Sequence, residues 1–256
     1  IKCEAGGEVS GSVLNQFSMD EYSDYFRLAT TAWTNETSQN NVYVLDMNLT
    51  IIGKLENIAP RETIYSVRFM GDRGYVVTFK QVDPFFAIDL QDPHSPKVLG
   101  VLKIPGYSSY LHPYDESHII GIGKDGSVVK ISLFDVTNVT DPKEIGNYTV
   151  SDSWSDSPVL SDHKALLFDS SKNLLVMPIF TYDYDYRAWQ GAYVFNITIQ
   201  EGIVLRGRIA HTEIPSDFYY TNVYPPYSTY YVKRALYIER PERIVLYTVS
   251  DKKVMM

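Results

Sequence analysis

Carboxylates, imidazoles and guanidiniums recur at corresponding places along this sequence: Asp20 with Glu21, Arg68, His112 with Asp115, His163 with Lys164, and Lys233 with Arg234. A carboxylate facing an imidazole or a guanidinium can move a proton or hold an anion. Asp20, Glu21, Arg68, His112, His163 and Arg234 are therefore the candidate catalytic set. The competing expectation is that such groups pair with one another, because a charge taken out of water needs a partner. Asp152 and Asp156 in SDSWSDSPVLSD, and Asp183 and Asp185 in TYDYDY, offer hard oxygen ligands that would suit calcium, the one cofactor the sequence suggests. Neither stretch has the D-x-[DN]-x-[DN]-G spacing of an EF-hand, and solvated loop carboxylates are the commoner source of such a pattern. His112 and His118 flank a predicted turn and are expected to cap it rather than to ligate a metal.

The third group is aromatic. Phe218, Tyr219, Tyr220, Tyr224, Tyr227, Tyr230 and Tyr231 crowd one loop, with Trp154, Tyr182, Tyr184, Tyr186 and Trp189 on others. Tyr and Trp pair a broad apolar face with a polar tip at low entropic cost. Such a cluster either binds a protein or a sugar ring, with Tyr219, Tyr220, Tyr224, Tyr227, Tyr230 and Trp189 as the contact set, or pins its own loops. No G-x-S-x-G, H-E-x-x-H or Gly-rich phosphate loop occurs, so no nucleophile or phosphate chemistry is indicated.

The elements that would position these groups are short and repeat. Between Arg61 and Gly106 four runs, YSVRFMG, RGYVVTFK, PFFAIDLQ and KVLGVLKI, are rich in Val, Ile, Phe and Tyr and are parted by GDR, QVDP and DPHSP. That is the composition of four strands and their turns. The pattern then restarts: D-x-x-[DN]-x-x-x-P-K-[VE]-[LI]-G occurs as Asp89–Lys97–Gly100 and again as Asp135–Lys143–Gly146. Recurrence every forty-odd residues marks a β-propeller built from four-stranded blades. The sequence predicts a single all-β domain with blades over 13–58, 61–106, 107–151 and 162–212. A fifth, over 229–256, lacks an outer strand, and residues 1–11 are read as a lone outer strand that completes it, leaving no open sheet edge. The other reading is half of a larger ring, with earlier blades upstream of Ile1. In either case the first strand of each blade would line a central channel, and the charged groups above would converge there.

Composition narrows the setting. A net charge of −8 and a pI near 5.1 disfavour a nucleic-acid backbone or an anionic membrane as partner. No apolar run approaches the length of a membrane helix. Cys3 is the only cysteine, so no intrachain disulfide can form. Five Asn-x-Thr sequons, at Asn35, Asn48, Asn138, Asn147 and Asn196, take up five of eleven asparagines, where chance composition gives about two. All map to predicted turns, outer strands or strand ends, where a glycan could project into solvent. They predict an extracellular or cell-surface glycoprotein.

VLNQFSMDEY, YSVRFMGDRGYVVTFKQVDP, YLHPYDESHIIGIGK, SDHKALLFD, GAYVF and RALYI resemble the secreted archaeal and bacterial proteins that carry a C-terminal β-propeller domain distantly related to WD repeats. The resemblance covers nearly the whole chain. It implies a propeller and secretion, and it implies blades upstream of a segment similar to EVSGSVLNQFSMDEY; it carries over no catalytic residue. The expected function is a non-enzymatic module for an extracellular protein or glycan. A carbohydrate-active enzyme working at the channel mouth and a self-assembling structural subunit are the alternatives.

Overall fold

The computed structural model describes residues 2–34, 37–79, 83–185, 187–211 and 228–256. These residues form short antiparallel strands and a few 3-10 turns, with no α-helix among them. The first sheet runs β1 (Met19–Tyr22), β2 (Tyr25–Thr34), β3 (Thr37–Leu45), β4 (Ile51–Ile58), in chain order. The second repeats that meander as β5 (Thr63–Met70), β6 (Arg73–Phe79), β7 (Asp83–Asp89) and β8 (Lys97–Ile104). The third follows as β9 (Tyr107–Pro113), β10 (His118–Asp125), β11 (Val128–Asp135) and β12 (Lys143–Thr149). The fourth contains β13 (Trp154–Asp156), β14 (Leu167–Asp169), β15 (Leu174–Tyr182), β16 (Ala188–Thr198) and β17 (Gly202–Ile209). The last has three strands among the described residues, β18 (Arg234–Arg240), β19 (Arg243–Val249) and the two-residue β20 (Val254–Met255). These five sheets fit the expected blades.

Two compact units divide the chain, residues 1–121 with 134–144 and residues 122–133 with 145–256. In the first unit the period-two alternation of β6 and β7 sends side chains to both faces. Val76 and Ile88 pack with Ala29, Val42 and Val44 of the first sheet. Tyr75, Val77, Phe85 and Ala87 pack with Leu111, Ile119, Phe134 and Val136. Phe85, stacked 4.8 Å from Phe134 and 5.6 Å from Tyr75, is the ring around which that layer closes. In the second unit Leu174, Val176, Ala192 and Val232 form a smaller cluster, against which Ala235, Tyr237 and Leu246 lean.

A glycine recurs in each complete outer strand, third or fourth in β4, β8 and β12 and sixth in β17. In three sheets a β-bulge separates the third and fourth strands, and Gly53, Gly100 and Gly207 lie opposite the residue just before it, paired with Val44, Ala87 and Val194. A Cβ at Gly53 would collide with the Pro93 carbonyl oxygen, and one at Gly100 with that of Val139. Each notch thus receives the turn between the third and fourth strands of the following sheet. Gly146, which occupies the same place in the motif, would bring a Cβ to 3.1 Å from Gly202 Cα. Gly207 faces open space.

Two expectations are corrected. Residues 2–11 contain no strand; Val9 packs on Leu28, Tyr43 and Leu45, Thr30 donates to the Ser10 carbonyl at 2.7 Å, and Ser12 bridges Thr31. Gly7 against the Leu49 carbonyl and Gly11 at φ +94° let this segment lie close along the first sheet, so it is engaged there rather than as an outer strand of the last. In the fourth sheet HKALLFDSSK is not one strand. Only Leu167–Asp169 pairs with β15, and Trp154–Asp156 pairs further along the same strand. Ser157 and Asp162 cap two 3-10 turns in between, because short polar side chains bond the backbone N–H groups two residues on. The polar stretch after Trp33 is strand where it is described, Thr34 ending β2 and residues 37–39 opening β3. Asn40, fully buried on β3, donates to the carbonyls of Ile58 and Glu62 at 3.0 and 3.1 Å and accepts from Thr31 at 2.8 Å.

Candidate functional site

Asp20, Arg68, His112 and Arg234 are bound to their own chain. Arg27, directly opposite Asp20 on β2 and only 2% exposed, donates from Nε and Nη2 to both Asp20 oxygens at 2.7 and 2.6 Å. Its Nη1 donates to the Gly71 carbonyl at 2.6 Å, and its guanidinium lies 4.8 Å from the Tyr22 ring centre and 5.2 Å from that of Phe69. Arg68 donates from Nε and Nη2 to the Leu111 carbonyl at 2.9 and 2.7 Å, with its guanidinium over Phe17 at 4.1 Å. Burial lowers the proton affinity of Arg68, and the neighbouring Tyr110 phenol pulls the other way. Tyr110 itself has its pKa raised by burial. The Tyr110 hydroxyl lies 2.9 Å from His112 Nδ1, which places His112 beside Arg68 through one ring. Glu21 stands exposed on the short strand β1.

His118, rather than His112, is the partner of Asp115: its Nδ1 lies 2.9 Å from Asp115 Oδ1, and its Nε2 lies 3.9 Å from Asp135. The turn cap expected of His118 is therefore present. In the second unit His163 sits on a 3-10 turn, not on a strand. Arg234 Nη2 donates to Asp162 at 2.6 Å, and this bond holds the Asp162 carboxyl below the usual carboxylate range. Lys233 pairs with Asp251 at 2.6 Å.

Of the loop carboxylates, Asp183 caps a turn and Asp185 and Asp156 are ion-paired. Asp183 accepts from the N–H groups of Asp185 and Arg187 at 2.9 and 2.8 Å, Asp185 pairs with Arg187, and Asp156 pairs with Lys124 at 3.4 Å. Asp152 is half-buried ahead of β13. Among the described residues no three acidic, His or Cys side chains converge as a metal ion would require.

Of the aromatic candidates, Phe218, Tyr219, Tyr220, Tyr224 and Tyr227, together with Tyr186, lie outside the described residues. Trp189 is held in place: the Arg208 guanidinium lies 4.8 Å from its ring centre, Tyr193 meets it edge-on at 5.3 Å, and Gly191 leaves no room beside it for a Cβ. Tyr230 is exposed, as are Trp33 and Tyr184. Trp154, Phe180 and Tyr231 wall a cleft of about 490 Å³ whose rim carries Asp156, Gln190 and Lys233. Gln190 is fixed there by exchanging bonds of 2.8 Å with the backbone of Val232, and burial raises the Tyr231 phenol to about 12. This cleft presents aromatic faces, with Asp156 and Lys233 at its rim. Nothing in the spacing of Trp154, Phe180 and Tyr231 foretold it; the split first strand of the fourth sheet creates it.

The sequons differ in access. Asn48, Asn138 and Asn147 are exposed, the first two in turns between third and fourth strands and the last on β12. Asn138 Oδ1 accepts from its own sequon threonine, Thr140, at 2.8 Å. Asn196 is half-buried on the central strand β16, with its amide 3.4 Å from Glu201. Asn35 lies outside the described residues.

Comparison with known proteins agrees with the sheets. An uncharacterized protein of Archaeoglobus fulgidus is 39% identical over 247 residues, covering 96% of this chain and 35% of its own length. One from Methanocaldococcus jannaschii is 46% identical over 185 residues, covering 71% of this chain and 29% of its own. The chain thus spans about a third of the length of these relatives. The β-propeller domain of the trilobed protease from Pyrococcus furiosus, described as having an open velcro topology, aligns with a TM-score of 0.46 at 14% identity, covering 93% of this chain and 69% of that one. A β-propeller domain family model matches residues 1–256, and the chain belongs to that family.

Proposed function

We propose that this domain is a secreted or cell-surface propeller, distantly WD-like, that binds a protein or a glycan and catalyses nothing. One observation carries the reading. Of the side chains that could do acid–base work, Asp20 is committed to Arg27, Arg68 to the Leu111 carbonyl and His112 to Tyr110, while Glu21 stands exposed. A general acid or base has to be within reach of substrate, and a carboxylate forked by a buried arginine has its oxygens occupied by that partner instead. The open surfaces are aromatic: the Trp154–Phe180–Tyr231 cleft suits stacking against a sugar ring or an apolar side chain. The exposed sequon asparagines support the extracellular setting.

The test is an intact mass of the protein from its native source before and after removal of glycans. A mass above the 29.2 kDa of the polypeptide that falls on deglycosylation, with peptides at Asn48, Asn138 and Asn147 carrying the sugar, supports the reading. Unmodified asparagines at all three would remove its setting.

A further inference from the structure

We infer that the cleft between the first hairpin turns of the second and third sheets binds a primary alkylammonium group, carried by a lysine side chain or by a free diamine. Met70, Asp72, Tyr75, Pro113, Asp115 and Glu116 line this space of about 620 Å³, and all of them belong to the first compact unit. It shares no residue with the Trp154 cleft, and its occupancy requires neither secretion nor glycosylation. Tyr75 distinguishes it from an ordinary acidic surface. The ring is only 2% exposed and stacks on Phe85, yet the hydroxyl makes no hydrogen bond among the described residues. A buried phenol without a partner calls for one from outside the chain. Burial raises its pKa to about 12, with Arg73 lowering it and Asp72 raising it. The hydroxyl therefore stays protonated at neutral pH, and its oxygen end is the one near those two charges at the cleft.

Charge selects the occupant. Three carboxylates and one guanidinium line the space, and that guanidinium, on Arg73, is bound to Asp89. The other cations nearby are also engaged: Arg27 by Asp20 and the Gly71 carbonyl, and His118 by Asp115. Glu116 is exposed and has no partner among the described residues. The cleft is therefore short of positive charge. A metal ion does not meet the need, because no three acidic, His or Cys side chains converge among the described residues. An ammonium head is compact and carries three donors, so it can serve Asp72, Glu116 and the Tyr75 oxygen together. Its methylenes would lie along Met70 and Pro113, as the stem of a lysine lies along apolar surface.

The probes are cadaverine and a lysine blocked at both ends, each titrated calorimetrically into the 256-residue chain. Saturable binding that weakens with added salt is expected; tighter binding of the blocked lysine assigns a protein as the source, and tighter binding of cadaverine assigns a free amine. Tyr75→Phe keeps the stacked ring and removes only the oxygen. It should weaken binding by about tenfold at an unchanged melting temperature, since the hydroxyl bonds nothing in the free protein. Glu116→Gln, at an exposed position, should weaken binding by about threefold without affecting folding. Three results would overturn the inference: no saturation by either probe at about 50 mM, binding indifferent to Tyr75→Phe, or equal affinity for the uncharged diol of the same length as cadaverine. A lower melting temperature for Tyr75→Phe without ligand would show that the hydroxyl already has a partner, and would overturn it as well.

Discussion

The first and last sheets are built on the same plan and finished differently. In the first, both faces are covered: Ala29, Val42 and Val44 pack on the second sheet, and Leu28, Tyr43 and Leu45 lie under Val9 and Leu49. Its turn-facing notch, Gly53, is filled by Pro93. In the last, the cross-strand pairs Leu236↔Tyr247 and Ile238↔Val245 define a face on which Leu236 and Ile238 remain 46% and 49% exposed, and Val254 is 62% exposed at the end of the sheet. Leu236 and Ile238 alternate along β18, while their partners Tyr247 and Val245 on β19 are half-buried and buried, so the exposure belongs to one strand of that face. The difference teaches that the repeat encodes a sheet, while completion depends on what the flanking chain supplies.

The largest expected effect lies in the finished sheet. Arg27→Ala removes the bidentate partner of Asp20, the donor to the Gly71 carbonyl and a stacked guanidinium at once, and leaves a carboxylate in partly buried surroundings. Breaking such a pair typically costs about 3–5 kcal/mol, and denaturant unfolding should read a loss of that order. A loss below about 1 kcal/mol would mean that Arg27 is a surface pair and that the first sheet is closed by its apolar layers alone. Next in size is Gly53→Val. Its side chain meets the Pro93 carbonyl directly, so overpacking should cost about 1–3 kcal/mol, read as a fall in the unfolding midpoint.

Acid should act on the second unit. His211 Nε2 lies 2.8 Å from the Thr248 hydroxyl on β19, Lys253 donates to the His211 carbonyl, and Nδ1 is buried without a hydrogen-bond partner among the described residues. Burial, and then the Lys253 charge, lower the His211 pKa from its usual 6.5. The unfolded chain therefore takes up the proton first. The contribution to stability is fully present above about pH 6.5 and is lost as pH falls from there through the folded value. Melting temperature should drop between about pH 7.5 and pH 5.5, and less so in His211→Gln. An equal drop in the variant would assign the acid response to the carboxylates.

Much of the fold could be read directly because its signals are local. YSVRFMG and RGYVVTFK alternate with period two, the DPHSP turn cannot continue a strand, and the buried place of Phe85 follows from both. What could not be read depends on long-range partners. Arg27 looks like any polar strand residue until Asp20 is placed opposite it. Asn40 sits in a polar run whose burial is decided by carbonyls eighteen and twenty-two residues away. HKALLFDSSK has strand composition, yet Asp162 and Ser157 draw the backbone into capped turns. The repeated glycine was visible at Gly100 and Gly146, but whether a notch is filled is a property of the next turn, not of the glycine.

The smallest expected effect is the one that separates the two sheets most cleanly. Gly207 lies opposite Val194 just before the bulge, as Gly53 lies opposite Val44, although Gly53 is the third residue of its strand and Gly207 the sixth. If the notch glycine were required by backbone conformation, Gly53→Val and Gly207→Val would be equally damaging. If it is required only by what approaches it, Gly207→Val has no Cβ contact to violate and adds a β-branched residue to a strand that favours one. The expected change at Gly207 is within about 0.5 kcal/mol of zero, against the loss at Gly53. A comparable loss at both would mean that the space beside Gly207 is occupied in solution.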